Sequence, residues 1–203
     1  MLIRRKVEAD TDACHQLLLA VHASDGYPAV MPPDPRRFMT PRREYVGWVA
    51  ELDGEIVGHV ALHDAGNNPM TPPASEATGR RPEQLCALAR LVVGPAVRRQ
   101  GLARRLLEVA TAHALSEGRR PILDVVRDAA GPIALYESAG WQRLGPLTLE
   151  LGQDRLDVWV YLGPDVEPVP EAQASTVPTG QAQASGIPSV EAQASASRSP
   201  NRR

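Results

Sequence analysis

The chain has 203 residues, which is enough for one domain with a substantial core, alone or followed by a tail. Its formal net charge is −2, so the composition gives no indication of a nucleic-acid or membrane partner. No apolar run approaches the roughly 18 residues of a membrane-spanning helix, and the first residues lack the apolar core of a signal peptide. Cys14 and Cys86 lie far apart without metal-ligand spacing, which is typical of a reducing compartment, and we expect a cytoplasmic protein.

The N-terminal segment predicts a strand, a helix and a long loop. Residues 2–6 favour a strand. The next apolar positions fall at helical spacing, and Asp10 or Thr11 can cap that helix. Turn-forming residues dominate residues 24–35, which we interpret as a loop.

A hairpin and a second loop follow. Asp53 and Gly54 stand between two alternating apolar runs, residues 45–52 and 56–63. An Asp-Gly pair in this setting is a strong local signal for a β-hairpin. Residues 67–82 are rich in proline, glycine and serine, and we predict a loop there.

The rest of the folded part alternates between strands and helices. We predict strands over residues 85–93, 121–126, 141–144 and 156–162, and helices over residues 101–117 and 132–139. Hairpins combined with one strand-helix-strand unit favour a mixed α/β (α+β) domain, in which helices pack on the faces of a mixed sheet.

The composition changes after Gly163 and Pro164. No aromatic residue occurs from residue 167 to residue 203, and a short polar repeat occupies residues 171–175, 181–185 and 191–195. Such a repeat is too short and too polar to bury a core. We therefore predict one domain over residues 1–165 and a disordered tail over residues 166–203, with a partner-docking tail as the alternative.

The most informative stretch lies where a predicted strand ends at Val93 and a glycine-containing loop leads into a helix. The first turn of a helix has unpaired backbone N–H groups, and its dipole favours negative charge. Gly101 and the small Ala103 allow a ligand to approach the backbone closely. Four arginines flank this turn and add positive charge, namely Arg98, Arg99, Arg104 and Arg105. The stretch predicts a site for a diphosphate or polyphosphate.

Two motifs at a fixed separation narrow the choice of ligand. The first is Arg98-x-x-Gly101-x-Ala103, and the second is the segment of residues 133–141, Ile-Ala-Leu-Tyr-Glu-Ser-Ala-Gly-Trp. Together they resemble the GCN5-related N-acetyltransferase (GNAT) superfamily over residues 1 to about 162. The resemblance implies a central mixed, mostly antiparallel sheet with helices on both faces.

The resemblance also assigns residues. It implies that the pantetheine arm of acetyl-CoA lies along the predicted strand and that the pyrophosphate binds the loop amides. The implied cofactor-binding residues are Leu91, Val92, Val93, Arg98, Arg99, Gln100, Gly101, Leu102, Ala103 and Arg104. Tyr136 is the implied catalytic residue, placed near the thioester sulfur, where a phenol can protonate the leaving thiolate.

The activity that follows is transfer of an acetyl group from acetyl-CoA to a primary amine by direct attack in a ternary complex. The acceptor is a small-molecule or peptide amine, with a homodimer as the default assembly. Many family members carry an asparagine where residues 128–131 read Asp-Ala-Ala-Gly, and a glutamate on the strand that precedes the loop, where none occurs. These departures keep a non-catalytic acyl-CoA-binding module open as an alternative, and they leave the general base unnamed. An acyltransferase that uses a larger acyl-CoA is a second alternative.

Other candidate residues have structural explanations. His59 and His63 share one face of a predicted strand, but no third metal ligand is evident, so we expect structural or substrate-wall roles and no metal. Asp25 falls where the family builds its acceptor pocket, and it fits an ammonium ligand or a plain turn equally well. Cys86 is interpreted as a small buried residue, because direct transfer needs no acyl-enzyme.

Overall fold

The structure is a computed structural model that describes residues 1–165. The predicted tail lies outside the described residues. In chain order the helices and strands are β1 Leu2–Arg5, α1 Thr11–Asp25, α2 Pro35–Met39, β2 Glu44–Leu52, β3 Glu55–Asp64, α3 Thr71–Thr78, β4 Leu85–Val93, α4 Leu102–Ser116, β5 Arg120–Val126, α5 Ala130–Ser138, β6 Gln142–Leu151 and β7 Asp154–Leu162.

The strands form one seven-stranded sheet in the order β1-β2-β3-β4-β5-β7-β6. Neighbouring strands are antiparallel except β4 and β5, which are parallel. Asp53 and Gly54 both have positive φ, +52° and +85°, and they form the tight turn between β2 and β3. The predicted mixed, mostly antiparallel sheet is confirmed.

Helices cover both faces of the sheet. On one face, here called the α4 face, residues of α4 and α5 pack against alternate strand residues such as Trp48, Leu62 and Leu88. On the other, the α1 face, α1 and α2 pack near Val49 and Val92. Helix α3 covers the same α1 face farther along, over Ile122 of β5 and its neighbours. The core is therefore two apolar layers separated by the sheet.

The loop predicted for residues 67–82 is wrong, because this segment contains α3. Pro72 and Pro73 lie in the first turn of that helix, where no N–H is needed for a helical hydrogen bond. Gly79 ends the helix in the left-handed conformation, at φ +67°. The prolines and the glycine are thus the start and stop signals of a short helix. Ala74 of this helix and Met70, the residue before it, are buried and pack on the sheet.

The predicted cap of α1 also differs. Asp10 has helical backbone angles and makes no side-chain cap. Its carboxylate instead accepts two hydrogen bonds from Arg4, at 2.7 and 2.8 Å, and one from the backbone N–H of Val7, at 2.9 Å. The hydrogen bonds with Arg4 hold the pKa of Asp10 below its ordinary value. Asp10 therefore ties β1 to the start of α1.

A buried ion pair joins Lys6, the residue after β1, to Glu44 at the start of β2, and it leads to a stability prediction. The side chains of Lys6 and Glu44 are 7% and 11% exposed, and the Lys6 ammonium also donates to the carbonyl of Met39 at 3.0 Å. Lys6→Met would leave the Glu44 carboxylate buried without its counter-ion. We expect the free energy of unfolding to fall by about 3 kcal/mol, measured by urea denaturation.

The control is Arg155→Met on β7. Arg155 pairs with Glu150 at 3.0 Å, but both side chains are largely exposed, at 71% and 65%. Solvent screens such a pair, so we expect a loss below about 1 kcal/mol. Equal losses in the two variants would contradict a stabilising role for the buried pair.

Candidate active site

A cleft opens in the middle of the sheet where two strands diverge. Strands β4 and β5 pair only over Leu85–Ala87 and Arg120–Ile122. Beyond that point, within residues 1–165, β4 pairs only with β3. The side of β4 that faces β5 therefore carries backbone groups that are free to pair with an extended ligand. Leu91, Val92 and Val93, which the resemblance places along pantetheine, lie on this stretch of β4.

A β-bulge in β4 changes which face of the sheet Arg90 reaches. His59 pairs with Val92 and Ala61 with Ala89, so β4 has one more residue than β3 in this interval. Arg90 has φ +54°, which is uncommon for a non-glycine residue. Its side chain consequently lies on the α1 face, in contact with Phe38 and His63.

The buried His59 supports this bulge. Its Nδ1 lies 3.0 Å from the carbonyl oxygen of Arg90. A carbonyl only accepts hydrogen bonds, so Nδ1 carries the proton. Burial lowers the pKa of His59 to about 3, which keeps the ring neutral. The hydrogen bond from His59 to the Arg90 carbonyl agrees with the structural role expected for this histidine.

The guanidinium of Arg90 is held by three contacts. Its Nε donates to the carbonyl of Phe38, and its central carbon lies 4.2 Å from the centroid of the Phe38 ring. Its Nη1 is 3.3 Å from both ring nitrogens of His63. Burial first, and then the positive charge of Arg90, lower the pKa of His63 to about 3. All three contacts come from neutral groups, so none supplies a counter-charge.

Asp124 faces the same cleft from β5, two residues after the last residue that pairs with β4. Its carboxylate is reached by solvent through the cleft, but protein surrounds it closely. This desolvation raises the pKa of Asp124 above its ordinary value, and the charge of Arg90 opposes the shift. Neither Arg90 nor Asp124 takes part in any ion pair formed within residues 1–165.

Two phenols complete the cleft. Tyr136 of α5 is 8% exposed, and its ring packs 6.0 Å from Trp141 and 6.1 Å from Tyr161. Desolvation raises the pKa of Tyr136, with smaller contributions from Tyr27 and Asp124. Desolvation likewise raises the pKa of Tyr27 to about 12. Both phenols therefore keep their protons at neutral pH and are available as donors.

The loop before α4 has the backbone that an anion site needs. Arg99 and Gly101 have positive φ, +63° and +77°. Helix α4 begins at Leu102 without a side-chain cap, so no side chain satisfies the N–H groups of its first turn. No atom lies within 4 Å of the position that a Cβ on Gly101 would occupy. The loop is thus open to a ligand on the side of Gly101.

Two of the predicted phosphate arginines have other partners. Arg98 donates to the carbonyl of Val93 at 3.1 Å and to Asp25 at 2.7 Å. Arg104 donates to the hydroxyl of Ser138 at 2.6 Å and so links α4 to α5. The hydrogen bond from Arg98 holds the pKa of Asp25 below its ordinary value. Asp25, which the sequence offers as an ammonium ligand or a plain turn, is therefore already paired.

Two charged residues that face the cleft were not predicted from the sequence. Asp124 is a single carboxylate inside the apolar strand segment of residues 121–126. Arg90 is likewise the one charged residue within β4. A lone charge that interrupts a buried strand was the available signal, since such a group needs a functional or structural reason.

A separate groove lies away from this cleft. It has a volume of about 350 Å³ and lies between α3 and β6, lined by residues that include Pro73, Ala77 and Pro146.

No cluster of three potential metal ligands occurs within residues 1–165. Over the same residues, no helix has the length and apolar character needed to cross a membrane.

Comparison with known proteins agrees with this geometry. A model of the acetyltransferase (GNAT) family matches residues 13–141, which is more than half of the chain. The uncharacterized N-acetyltransferase YjgM of Escherichia coli (strain K12) is 32% identical over 98 residues, which are 48% of this chain and 51% of that protein. The chain therefore matches about half the length of this relative.

Solved structures share the fold. The ribosomal-protein-S18-alanine N-acetyltransferase of Escherichia coli matches with a TM-score of 0.61 and 19% identity, over 83% of this chain and 97% of that one. The ribosomal-protein-alanine N-acetyltransferase of Brucella melitensis matches with a TM-score of 0.60 and 22% identity, over 80% of this chain and 98% of that one. The cleft between β4 and β5 and the uncapped helix that follows β4 agree with the family match. The chain belongs to the GNAT family of acetyltransferases.

Proposed function

We propose that this acetyltransferase moves an acetyl group from acetyl-CoA to a primary amine by direct attack in a ternary complex. The observation that carries the proposal is the cleft, where an uncapped helix start lies beyond one end of β4 and a carboxylate and a phenol face the opening. The N–H groups around Gly101 and at the start of α4 would hold the pyrophosphate. The free side of β4 over Leu91, Val92 and Val93 would pair with pantetheine.

Asp124 is the proposed proton acceptor. An amine reaches the cleft as an ammonium ion, and it must lose a proton before its nitrogen can attack a carbonyl carbon. Because the pKa of Asp124 is raised, the carboxylate is a stronger base than an exposed aspartate. The β-bulge at Arg90 interrupts the β3–β4 ladder, and unpaired N–H groups there would polarise the thioester carbonyl.

Tyr136 is the proposed proton donor. As the new C–N bond forms and the C–S bond breaks, the thiolate needs a proton, and the phenol of Tyr136 is protonated and buried in the cleft. We expect Tyr136→Phe to lower kcat about 100-fold without changing the affinity for acetyl-CoA. Steady-state rates and calorimetric titration would measure the two quantities.

The control for this variant is Tyr161→Phe. The Tyr161 ring packs against Tyr136, but its hydroxyl is bonded to Glu137 and Arg143 outside the cleft. Loss of that hydroxyl is expected to affect stability more than turnover. Full kcat in Tyr136→Phe would exclude the phenol as the acid.

A non-catalytic acyl-CoA-binding module and an enzyme for a larger acyl-CoA are the alternatives. The carboxylate of Asp124 favours a catalytic protein, since its raised pKa suits a proton acceptor and a binding module needs none. Rates with acetyl-, propionyl- and butyryl-CoA would rank the acyl chains.

The test of the proposal has two parts. Calorimetry with acetyl-CoA, and with ATP and NAD as controls, is expected to show selective binding of acetyl-CoA. Thiol release is then followed with a panel of primary amines, small and peptidic. Binding without turnover for any amine would favour the non-catalytic module, and a folded protein that binds no acyl-CoA would contradict the proposal.

A further inference from the structure

The charge of Arg90 is unusual because it is partly buried and has no counter-ion within residues 1–165. Its known contacts are the Phe38 carbonyl, the Phe38 ring and the neutral His63. Burial lowers the pKa of Arg90, which reflects the cost of holding the cation there. A guanidinium has five N–H donors, and these contacts leave Nη2 without a partner in the described part of the chain.

A role in stabilising the fold explains only some of the contacts of the Arg90 side chain. The hydrogen bond to the Phe38 carbonyl ties β4 to α2 and uses Nε alone. Arg119 shows how a stacked arginine with a carboxylate partner is held in this protein. It lies 4.6 Å from the Tyr45 ring centroid and donates to the Leu85 carbonyl, and it also pairs with Asp64 at 2.9 Å. Arg90 has the same stacking and carbonyl contacts but lacks the carboxylate.

An opposite charge faces Arg90 without neutralising it. Tyr27, Glu44 and Asp124 all act to raise the pKa of Arg90, against the larger effect of burial. Of the two carboxylates, Glu44 already pairs with Lys6, whereas Asp124 has no ion pair within residues 1–165 and lies in the same cleft. The side chains of Arg90 and Asp124 nevertheless do not approach within ion-pair distance. Two opposite charges held apart on the same face of neighbouring strands match a ligand that carries both charges. The pyrophosphate is a poor candidate for Arg90, because its expected loop follows Val93 while the guanidinium lies on the α1 face.

We infer that the acceptor is a small amino carboxylate, whose carboxylate binds the open side of the Arg90 guanidinium while its ammonium group faces Asp124. This inference rests on the proposed function, since it names the substrate class of the same cleft. A guanidinium and a carboxylate form paired, charge-assisted hydrogen bonds, so Arg90 would set specificity by holding the substrate. A peptide N-terminus with no nearby carboxylate would leave Arg90 unpaired.

Binding measurements on matched ligands test the inference. The free L-amino acids and their carboxamides are titrated into the protein saturated with CoA, at a pH of about 6, where both α-amino groups are protonated. At least one acid is expected to bind about tenfold or more tightly than its own amide. If no acid binds, or if acids and amides bind equally well, the inference is overturned. The parent protein alone is enough for this test.

Variants then locate the effect. Arg90→Gln is expected to bring each acid to the affinity of its amide while leaving acetyl-CoA affinity unchanged, and Arg90→Lys should retain part of the difference. The matched control is Arg119→Gln, which removes a stacked, carbonyl-bonded arginine outside the cleft. A preference for acids that survives in Arg90→Gln would exclude Arg90 as the determinant.

Thiol release separates this inference from the proposed function. If amides are acetylated as fast as acids, the transferase stands and the inference fails. If acids bind selectively but no amine in the panel is acetylated, the binding site stands and the transferase function fails.

Discussion

Asp124→Asn is expected to lower kcat/KM for the amine by about 100-fold to 10,000-fold, which is the usual contribution of a positioned general base. Asparagine keeps the size and most of the polarity of the side chain but cannot accept the proton. Acetyl-CoA affinity should be unchanged, because the expected pyrophosphate site lies on the loop before α4. Steady-state kinetics and calorimetric titration measure the two effects separately.

The same substitution should not destabilise the fold. Desolvation raises the pKa of Asp124 in the folded protein, so the folded state binds that proton more tightly than the unfolded state does. Between the ordinary and the raised pKa, the free energy of unfolding therefore falls as pH rises. At neutral pH the ionised carboxylate destabilises the folded state. Asp124→Asn removes the ionisable group and with it this destabilisation. Urea denaturation at neutral pH is expected to show equal or greater stability than in the parent protein.

The pH profile gives an independent check on the base. Only the deprotonated carboxylate accepts a proton, so kcat/KM should rise with pH through the raised pKa of Asp124. His59 and His63 should add no inflection near neutrality, because their pKa values are lowered to about 3. Asp128→Asn, a change in the turn that follows β5, is the control and should retain the parent profile. A variant at Asp124 with the parent rate and profile would exclude it as the base.

Local signals explain which parts of the fold were predictable. The hairpin follows from Asp53 and Gly54, whose positive φ angles are a property of two neighbouring residues. Helix α4 follows from its own apolar periodicity and from the glycine before it. Helix α3 was not predicted although its signals are also local, because proline marks a loop and the first turn of a helix alike, and Pro72 and Pro73 occupy the latter.

The cleft depends on relations between strands that no single segment encodes. Arg90 would face α4 if β4 followed regular alternation, and only the bulge opposite β3 places it on the α1 face. Asp124 lies at the cleft because the pairing of β5 with β4 ends at Ile122, two residues earlier. The two motifs predict an acetyl-CoA site from local sequence, since the expected site is a loop and a helix start. The charges expected to bind the acceptor come from strands whose register is set by tertiary structure.

Gly101→Val should weaken acetyl-CoA binding by at least about 100-fold. The side chain would project into the open space beside the loop, where no protein atom lies within 4 Å of a Cβ. A branched side chain there would keep a pyrophosphate from the amides, and two charge-assisted hydrogen bonds at about 1.5 kcal/mol each account for the loss. Calorimetric titration with acetyl-CoA gives the measurement.

Backbone strain is the competing explanation, and a glycine at the other end of α4 controls for it. Gly118 has φ +70° and, like Gly101 at φ +77°, no atom within 4 Å of the position that a Cβ would occupy. Valine at either site is strained by about 1–3 kcal/mol, so both variants should lose similar stability in urea. Only Gly101→Val should lose acetyl-CoA binding. Equal loss of binding in both variants would mean that the effect comes from strain in α4 and would remove the support for a pyrophosphate site at this loop.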